Sequence, residues 1–225
     1  MKHGKQIVVY GAGGSGREIA WLIEQINRDS QQWHFMGFID DYTRGSTVEG
    51  HQILGGSDIL ERLSPRPAVV CSVGDPATRA RIVTRLEEQG FTFATLIHPT
   101  VLMSGFVQVG AGSVICAGCV LTTNVKVGRH CLVNIASRIG HDSVLGDFAS
   151  LMYGVAIAGD VTIGKGCYLG SNACVVNRIS IGEWTVIGAG GVVVNDIPER
   201  VVAVGVPARP IKTLHHATDE CGPLA

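Results

Sequence analysis

One aliphatic position recurs every six residues through the second half of this chain. Every sixth residue from Met103 to Val193 is Ile, Leu, Val or Met, and the next residue is often glycine. A period of six fits neither the 3.6-residue period of a helix nor the two-residue alternation of a strand. It fits short parallel strands, three to a coil, each pointing one aliphatic side chain into a central stack. The repeat therefore predicts a parallel β-helix of about five coils over residues 103–193.

The composition agrees with such a repeat and excludes several classes of partner. The chain has 225 residues with 30 glycines and only 6 % aromatic residues, which suits small repetitive packing. Because the 18 basic residues are balanced by 19 acidic ones, the chain has no excess of positive charge, and we expect no binding to nucleic acid. No apolar run reaches the roughly 18 residues of a membrane span, and we expect no membrane insertion. The seven scattered cysteines form no disulfide framework, which favours a cytoplasmic location.

Strand and helix patterns alternate in the first hundred residues. An apolar strand over 6–10 precedes a glycine loop, a helix over 17–27, further apolar segments and a second helix over 77–89. This alternation is typical of a Rossmann-like α/β domain with a small parallel sheet. We therefore expect three regions: a Rossmann-like α/β domain at 1–100, a β-helix domain at 101–198, and a C-terminal extension and tail at 199–225.

The glycine loop follows a strand and opens a helix, which is the context of a nucleotide-binding fingerprint. It reads Gly11-Ala-Gly-Gly-Ser-Gly16, and its backbone N–H groups can approach a phosphate at the helix N-terminus. An acidic pair, Asp40-Asp41, ends the next strand, where a carboxylate can bind a ribose or a base. A turn used only for helix–strand packing is the alternative. A short nucleotide fits about 95 residues better than NAD does, since NAD needs two mononucleotide halves.

One histidine of the repeat stands out as a candidate general base. His141 lies two residues past an aliphatic position, so its side chain should point away from the central stack. An imidazole titrates near neutral pH and suits proton transfer, and the adjacent Asp142 can orient it. A solvated surface pair is the alternative. His130 is the other histidine of the repeat and is expected at the surface, so no zinc site is expected.

Several motifs in this order resemble a family of sugar acyltransferases. The α/β domain is followed by His98-Pro99, then by hexapeptide coils containing Gly140-His141-Asp142, and then by Gly205-Val-Pro-Ala-Arg209. From residue 6 to about 212 the chain is similar to the hexapeptide-repeat enzymes that include the sialic-acid O-acetyltransferases and the UDP-4-amino-sugar N-acetyltransferases. The resemblance implies a left-handed β-helix, an acetyl-CoA cosubstrate and a nucleotide-sugar substrate. It also implies a homotrimer with sites between subunits. No metal is expected, since the repeat contains only His130 and His141 as histidines.

The resemblance implies roles for individual residues as well. In that family the histidine matching His141 is the general base, and the acid matching Asp142 supports it. The backbone at Gly159 is expected to hold the acetyl carbonyl. The other matched residues are expected at the coenzyme (Ala189, Pro207), the acceptor sugar (Asn134) and the nucleotide sugar (Gly13, Gly14, Ser15, Asp40, Asp41). Two positions depart from the family, since Ser15 and Ser150 stand where relatives often carry histidine.

These inferences predict an acetyl-CoA-dependent N-acetyltransferase. Its expected substrate is a UDP- or dTDP-linked 4-amino-4,6-dideoxy sugar, with His141 as general base. An O-acetyltransferase acting on sialic acid or another sugar would use the same residues and is the main alternative. A nicotinamide-dependent oxidoreductase rests on the glycine loop alone. A trimeric scaffold without catalysis would keep the aliphatic repeat but would not need the pair formed by His141 and Asp142.

Overall fold

The computed structural model describes residues 4–43 and 46–214, and its first part is a sheet flanked by two helices. The elements are, in chain order, β1 (Lys5–Tyr10), α1 (Gly14–Asp29), β2 (Trp33–Ile39), β3 (Thr47–Val48), β4 (His51–Gly55), a 3₁₀ helix (Ser57–Arg62), β5 (Ala68–Cys71) and α2 (Pro76–Glu88). The strand order is β3-β4-β2-β1-β5, and β1 is parallel to both β2 and β5. This is the predicted α/β arrangement.

The central strand β1 sets the edge at which a ligand can bind. Residues 7–10 of β1 are buried, as expected for a parallel strand covered on both faces. The chain leaves β1 towards β2 on one side and later returns to β5 on the other. The crevice outside the carboxyl ends of β1 and β5 is therefore the topological switch point, where open α/β sheets bind ligands. The glycine loop follows β1 at this edge.

The second part of the chain winds into a three-sided β-helix. We call its parallel sheets face one, face two and face three, in the order in which the chain enters them. Face one contains β6 (Leu96–Ile97), β9 (Val114–Ile115), β12 (Leu132–Val133), β15 (Ser150–Leu151), β18 (Tyr168–Leu169), β21 (Val186–Ile187), β23 (Val201–Gly205) and β24 (Ala208–Thr213). Its last two strands form an antiparallel hairpin that ends the described chain.

The other two faces are built only from two-residue strands. Face two contains β7 (Leu102–Met103), β10 (Val120–Leu121), β13 (Arg138–Ile139), β16 (Ala156–Ile157), β19 (Cys174–Val175) and β22 (Val192–Val193). Face three contains β8 (Gln108–Val109), β11 (Lys126–Val127), β14 (Val144–Leu145), β17 (Thr162–Ile163) and β20 (Ser180–Ile181). Paired residues on neighbouring strands are 18 positions apart, so one coil takes 18 residues.

The aliphatic repeat forms one continuous core inside the coils. From Ile115 onwards each of the predicted aliphatic positions is buried, and together they make a single cluster. The two earlier positions are less buried, because they lie in the first coil at the open end of the stack: Met103 is 46 % exposed and Val109 is partly buried. The cysteines at 119, 131 and 167 are buried in the same core, and burial raises the pKa of each thiol. They act as compact packing residues.

Two helices of the α/β part cover face one. The buried face of α1 packs against Val114 and Leu132, and Val83 of α2 packs near Phe148. Arg79 of α2 is 2 % exposed and donates hydrogen bonds to the carbonyl oxygens of His130 (3.0 Å) and Phe148 (2.6 Å). These charge-assisted bonds fasten α2 to two successive coils. Faces two and three are left open in the described chain.

The expectation that His130 lies at the surface is wrong. Its side chain is 2 % exposed and stacks on Phe148 at a centroid distance of 5.3 Å, with the edge of Phe93 on its other side at 4.8 Å. Its Nε2 lies 3.2 Å from Glu87 of α2. The reason is that α2 and the segment after it cover this corner of the β-helix, which the repeat pattern alone does not reveal.

The described residues end before the tail. The predicted C-terminal tail beyond residue 214 lies outside them, as do residues 1–3 and 44–45. Among residues 4–43 and 46–214, no helix combines the length and the apolar character that crossing a membrane requires.

Candidate active site

His141 and Asp142 form an exposed hydrogen-bonded pair at the corner between faces two and three. Nδ1 of His141 lies 2.8 Å from Oδ2 of Asp142, and Asn124 of the preceding coil donates to Oδ1 at 2.7 Å. The Asn124 bond, followed by the bond to His141, lowers the pKa of Asp142. An ionised carboxylate only accepts hydrogen bonds, so Nδ1 carries the proton in the neutral ring. Nε2 is then the basic nitrogen.

Gly159 lies directly beneath this basic nitrogen, one coil after His141. A methyl group on Gly159 would stand 2.5 Å from Cε1 of His141 and closer still to Nε2. The imidazole therefore rests on bare backbone. None of the hydrogen bonds among the described residues uses the N–H of Gly159. The structure thus brings together the predicted base and the residue expected to hold the acetyl carbonyl.

The glycine loop presents an uncapped helix N-terminus. Gly13 is the N-cap of α1, no side chain caps the helix, and the first turn has no acidic residue. Gly13 and Gly14 are exposed, whereas Gly16 is buried. Any side chain at Gly16 would overlap the carbonyl oxygen of Gly11. The free N–H groups at Gly14 and Ser15 and the helix dipole make this end attractive to an anion such as a phosphate.

The carboxylate of Asp40 is already engaged by backbone groups of the protein. Its Oδ2 accepts the N–H of Ala12 at 2.7 Å, while Oδ1 accepts the N–H groups of Tyr42 and Thr43. Burial alone would raise the pKa of Asp40, but these donors stabilise the carboxylate and leave the pKa below its usual value. Asp40 thus shapes the glycine loop from the neighbouring strand.

Asp41 is tied to the opposite side of the sheet. Its Oδ1 accepts the N–H of Ser57 at 2.7 Å, and its Oδ2 accepts the hydroxyl proton of Tyr10. Burial and this contact raise the pKa of Tyr10 to about 12. Arg85 donates to the same hydroxyl at 2.9 Å. Both acidic residues predicted to bind nucleotide therefore also hold the local backbone.

Asn134 lies at a different corner from His141, between faces one and two. Its side chain is 6 % exposed and lines a cleft where α1 meets the β-helix, together with Trp21, Gln25 and His98. Ala189 lies at the same corner, exposed, two coils beyond Tyr153. In one chain, the predicted residues Asn134 and Ala189 thus lie at a different corner from the predicted catalytic residues His141 and Asp142.

The two remaining residues singled out from the family pattern lie on face one. Pro207 is exposed in the turn between β23 and β24. Ser150 is fully buried in the contact between the two parts of the chain. It accepts a hydrogen bond from Arg79 at 2.8 Å and donates to the carbonyl oxygen of Gly74 at 2.9 Å. Here the serine fastens the loop after β5 to the β-helix.

Sequence reasoning missed three residues of this region. Glu18 and Tyr153 meet across the cleft at 2.5 Å, and Asn124 supports Asp142 from the coil before it. The 18-residue coil was a usable signal for Asn124, since it lies 18 positions before Asp142. No spacing links Glu18 to Tyr153, because they belong to different parts of the chain. Among the described residues, no cluster of three or more His, Cys, Asp or Glu side chains could hold a metal ion.

Comparison with known proteins gives consistent matches. The model of the PglD N-terminal domain matches residues 6–86. GDP-perosamine N-acetyltransferase from Escherichia coli O157:H7 is 30 % identical over 168 residues, which is 74 % of this chain and 76 % of that protein. The acetyltransferase domain of PglB from Neisseria gonorrhoeae FA1090 superposes with a TM-score of 0.86 at 31 % identity, covering 92 % of this chain and 100 % of that one.

A further solved structure carries ligands. A histidine-to-asparagine variant of perosamine N-acetyltransferase from Caulobacter crescentus, in complex with CoA and GDP-perosamine, superposes with a TM-score of 0.84 at 30 % identity. The alignment covers 94 % of this chain and 98 % of that one. The PglB domain has also been solved in complex with acetyl coenzyme A. Acetyl-CoA as the cosubstrate, predicted above, is thus confirmed at the level of the family.

The Rossmann-like domain and the β-helix with its exposed histidine–aspartate pair define a hexapeptide-repeat acyltransferase. The chain belongs to the sugar N-acetyltransferase family of these enzymes. The prediction of an α/β domain followed by a left-handed β-helix is confirmed by the shared fold. The prediction that the protein is an acyltransferase is confirmed as well.

Proposed function

We propose that this enzyme transfers the acetyl group of acetyl-CoA to the amino group of a nucleotide-linked 4-amino-4,6-dideoxy sugar. The observation that carries the proposal is the free Nε2 of His141, which rests on the backbone of Gly159 with Nδ1 fixed by Asp142. A general base of this kind contributes on the order of 10²–10⁴-fold to a rate. The relatives named for GDP-perosamine add GDP to the UDP and dTDP expected above.

The reaction we propose is a direct transfer in a ternary complex. Nε2 of His141 accepts a proton from the sugar amine as the nitrogen attacks the thioester carbonyl carbon, forming the new C–N bond. The negative charge on the carbonyl oxygen is stabilised by the N–H of Gly159, which lacks a protein acceptor among the described residues. The C–S bond then breaks, and the imidazolium returns the proton to the departing CoA thiolate. Asp142 stabilises the imidazolium between these steps.

We also propose that the enzyme is a homotrimer with active sites between chains. Apart from Arg138, the outward residues of face two are apolar or small (Leu102, Val120, Ala156, Cys174, Val192). Apart from Val144, those of face three are polar (Gln108, Lys126, Thr162, Ser180). Face two therefore gains most from contact with other copies. Around a threefold axis, the His141 corner of one chain adjoins the Asn134 corner of the next. That arrangement unites residues that one chain keeps apart.

The test is CoA release measured against a panel of GDP-, UDP- and dTDP-linked 4-amino-4,6-dideoxy sugars, with sialic acid as the O-acetylation arm. We expect turnover only with nucleotide-linked amino sugars, and a loss of at least about 10²-fold in His141→Ala. His34→Ala is the matched control, because His34 is an exposed histidine of the α/β domain and is distant in sequence from His141. Near-normal turnover in His141→Ala would refute the mechanism. Turnover of sialic acid alone would refute the substrate class.

A further inference from the structure

The cleft between α1 and the β-helix contains an acidic group that the mechanism does not use. The cleft is lined by Glu18, Trp21 and Leu22 of α1 and by His98, Asn134 and Ile135 of the β-helix part. We call it the acceptor cleft. Most of its lining is apolar, and the polar atoms come from a few side chains. Sites of this composition bind small molecules and fix their orientation with those few polar groups.

A hydrogen bond joins two polar side chains of the acceptor cleft. The hydroxyl of Tyr153 donates to Oε1 of Glu18 at 2.5 Å. Asn134 lines the same cleft, and its Oδ1 accepts the N–H of Ile135 at 2.8 Å. The bond from Tyr153 holds the carboxylate of Glu18 in place across the boundary between the two parts of the chain.

Glu18 has no cationic partner in the structure. No Lys, Arg or His side chain among the described residues forms an ion pair with it, whereas the nearby Glu24 and Glu49 pair with His51 and Arg17. A carboxylate that is oriented by a neighbour but not neutralised is suited to binding a cation that arrives with a ligand.

The position of Glu18 along α1 matches the position of a sugar. Ser15, Glu18, Leu22 and Gln25 follow one another at spacings of three or four residues, so they lie along one side of the helix. Glu18 is three residues from Ser15, which corresponds to about 4.5 Å along the helix axis. A pyrophosphate at the free N–H groups of the first turn would place its attached hexose beside the acceptor cleft.

We propose that Glu18, held by Tyr153, recognises the amino group of the acceptor sugar in its ammonium form and so selects amino sugars over hydroxy sugars; the ammonium then releases one proton to solvent, and the free amine attacks with His141 as base. This inference rests on the proposed function, and it concerns binding, with no bond made or broken at Glu18. Trp21 is 48 % exposed at the mouth of the cleft and offers an aromatic face to the sugar ring. Glu18 is thus a specificity residue that acts when the sugar binds, whereas His141 acts on the free amine during transfer.

The experiment compares two ligands that differ at one atom. The dissociation constants of a GDP-linked and a UDP-linked 4-amino-4,6-dideoxyhexose, and of their 4-hydroxy counterparts, are measured by calorimetry in the presence of CoA. The readout is the preference for the amino over the hydroxy ligand. We expect Glu18→Gln to reduce this preference about tenfold, since a hydrogen bond to a charged group is replaced by a neutral one. Tyr153→Phe should reduce it severalfold.

Glu24→Gln is the matched control, because Glu24 lies on the same helix but pairs with His51 outside the cleft. It should leave the preference unchanged. A preference that survives Glu18→Gln within about twofold overturns the inference, and a purely structural role would weaken both ligands equally. If Glu18→Gln fails to fold, judged by melting and CoA binding, an unchanged preference in Tyr153→Phe overturns it instead. Failure of the wild-type enzyme to acetylate any amino sugar refutes the proposed function, which is a separate outcome.

Discussion

Gly159 supports His141 because it lacks a side chain. The imidazole lies against its backbone, and a methyl group would crowd both Cε1 and Nε2. Because Nδ1 is held by Asp142 at 2.8 Å, the ring cannot move away without losing that bond. We therefore expect Gly159→Ala to reduce kcat by about 10²-fold, a loss of the size expected when a general base is misplaced. CoA release under saturating substrates measures this change.

The control for this substitution is Gly105→Ala. An added methyl at Gly105 meets open space within 4 Å, and the residue is exposed in the first coil. It should leave kcat and the melting temperature close to wild type. A Gly159→Ala enzyme with wild-type kcat would show that the imidazole does not need its position above this glycine.

Individual residues differ in how far the sequence reveals them. His141 could be found because it interrupts a regular repeat at a position that points away from the core. Asp40 and Asp41 were placed correctly at the end of a strand, yet their partners, such as Ala12 and Ser57, depend on how separate segments pack. Gly159 was reached only through the family resemblance. A glycine in a glycine-rich repeat carries no distinguishing signal of its own.

At the scale of elements, the rungs of the β-helix were predictable and its corners were not. Every sixth residue from Gly112 to Gly190 has a positive φ, near +54 to +74°. Five of these fourteen residues are glycine, while others are as large as Phe148 and Trp184. A bulky residue in this conformation costs roughly 1–2 kcal/mol. The aliphatic rungs follow one chemical rule, whereas the corners are imposed by the packing of neighbouring coils.

The contact between α2 and the β-helix could not be predicted from the sequence either. Its contribution to stability should depend on pH. His130 is buried there between Phe93 and Phe148, with Glu87 and Arg129 beside it and Arg79 bonded to its carbonyl oxygen. Burial lowers the pKa of His130, although Glu87 opposes the shift. The unfolded chain then binds a proton more readily than the folded one. Stability contributed by neutral His130 is present above its unfolded pKa and is lost as the pH falls through and below it.

Urea unfolding of wild type and of His130→Asn at pH 7.5 and 5.5 tests this linkage. Asparagine tolerates the positive φ of 54° at this corner, so the backbone should be retained. We expect wild type to lose more stability than the variant on acidification. His98 also has a pKa lowered by burial and remains in both proteins, so a residual slope is expected in the variant. Equal losses in the two proteins would assign the acid sensitivity elsewhere.

At the scale of the whole molecule, the α/β domain determines which face of the β-helix is free. It covers face one through α1 and α2 and leaves faces two and three to solvent or to other copies. The corners at the two edges of face two are the ones that carry His141 and Asn134. The proposed packing of face two around a threefold axis would therefore complete each site from two chains, and the same packing would bury the most apolar open surface.

Sites shared between chains predict activity in mixtures of two inactive variants. His141→Ala removes the base at one corner, and Ala189→Trp fills the other corner, where the coenzyme is expected. Each variant alone should be inactive. In a mixed trimer, one of the three sites combines an intact His141 with an intact Ala189 from the neighbouring chain. Random assembly of equal amounts should restore about one quarter of wild-type CoA release per trimer. Separately purified variants, mixed without subunit exchange, serve as the control. Co-expressed trimers that stay inactive would mean that each site lies within one chain.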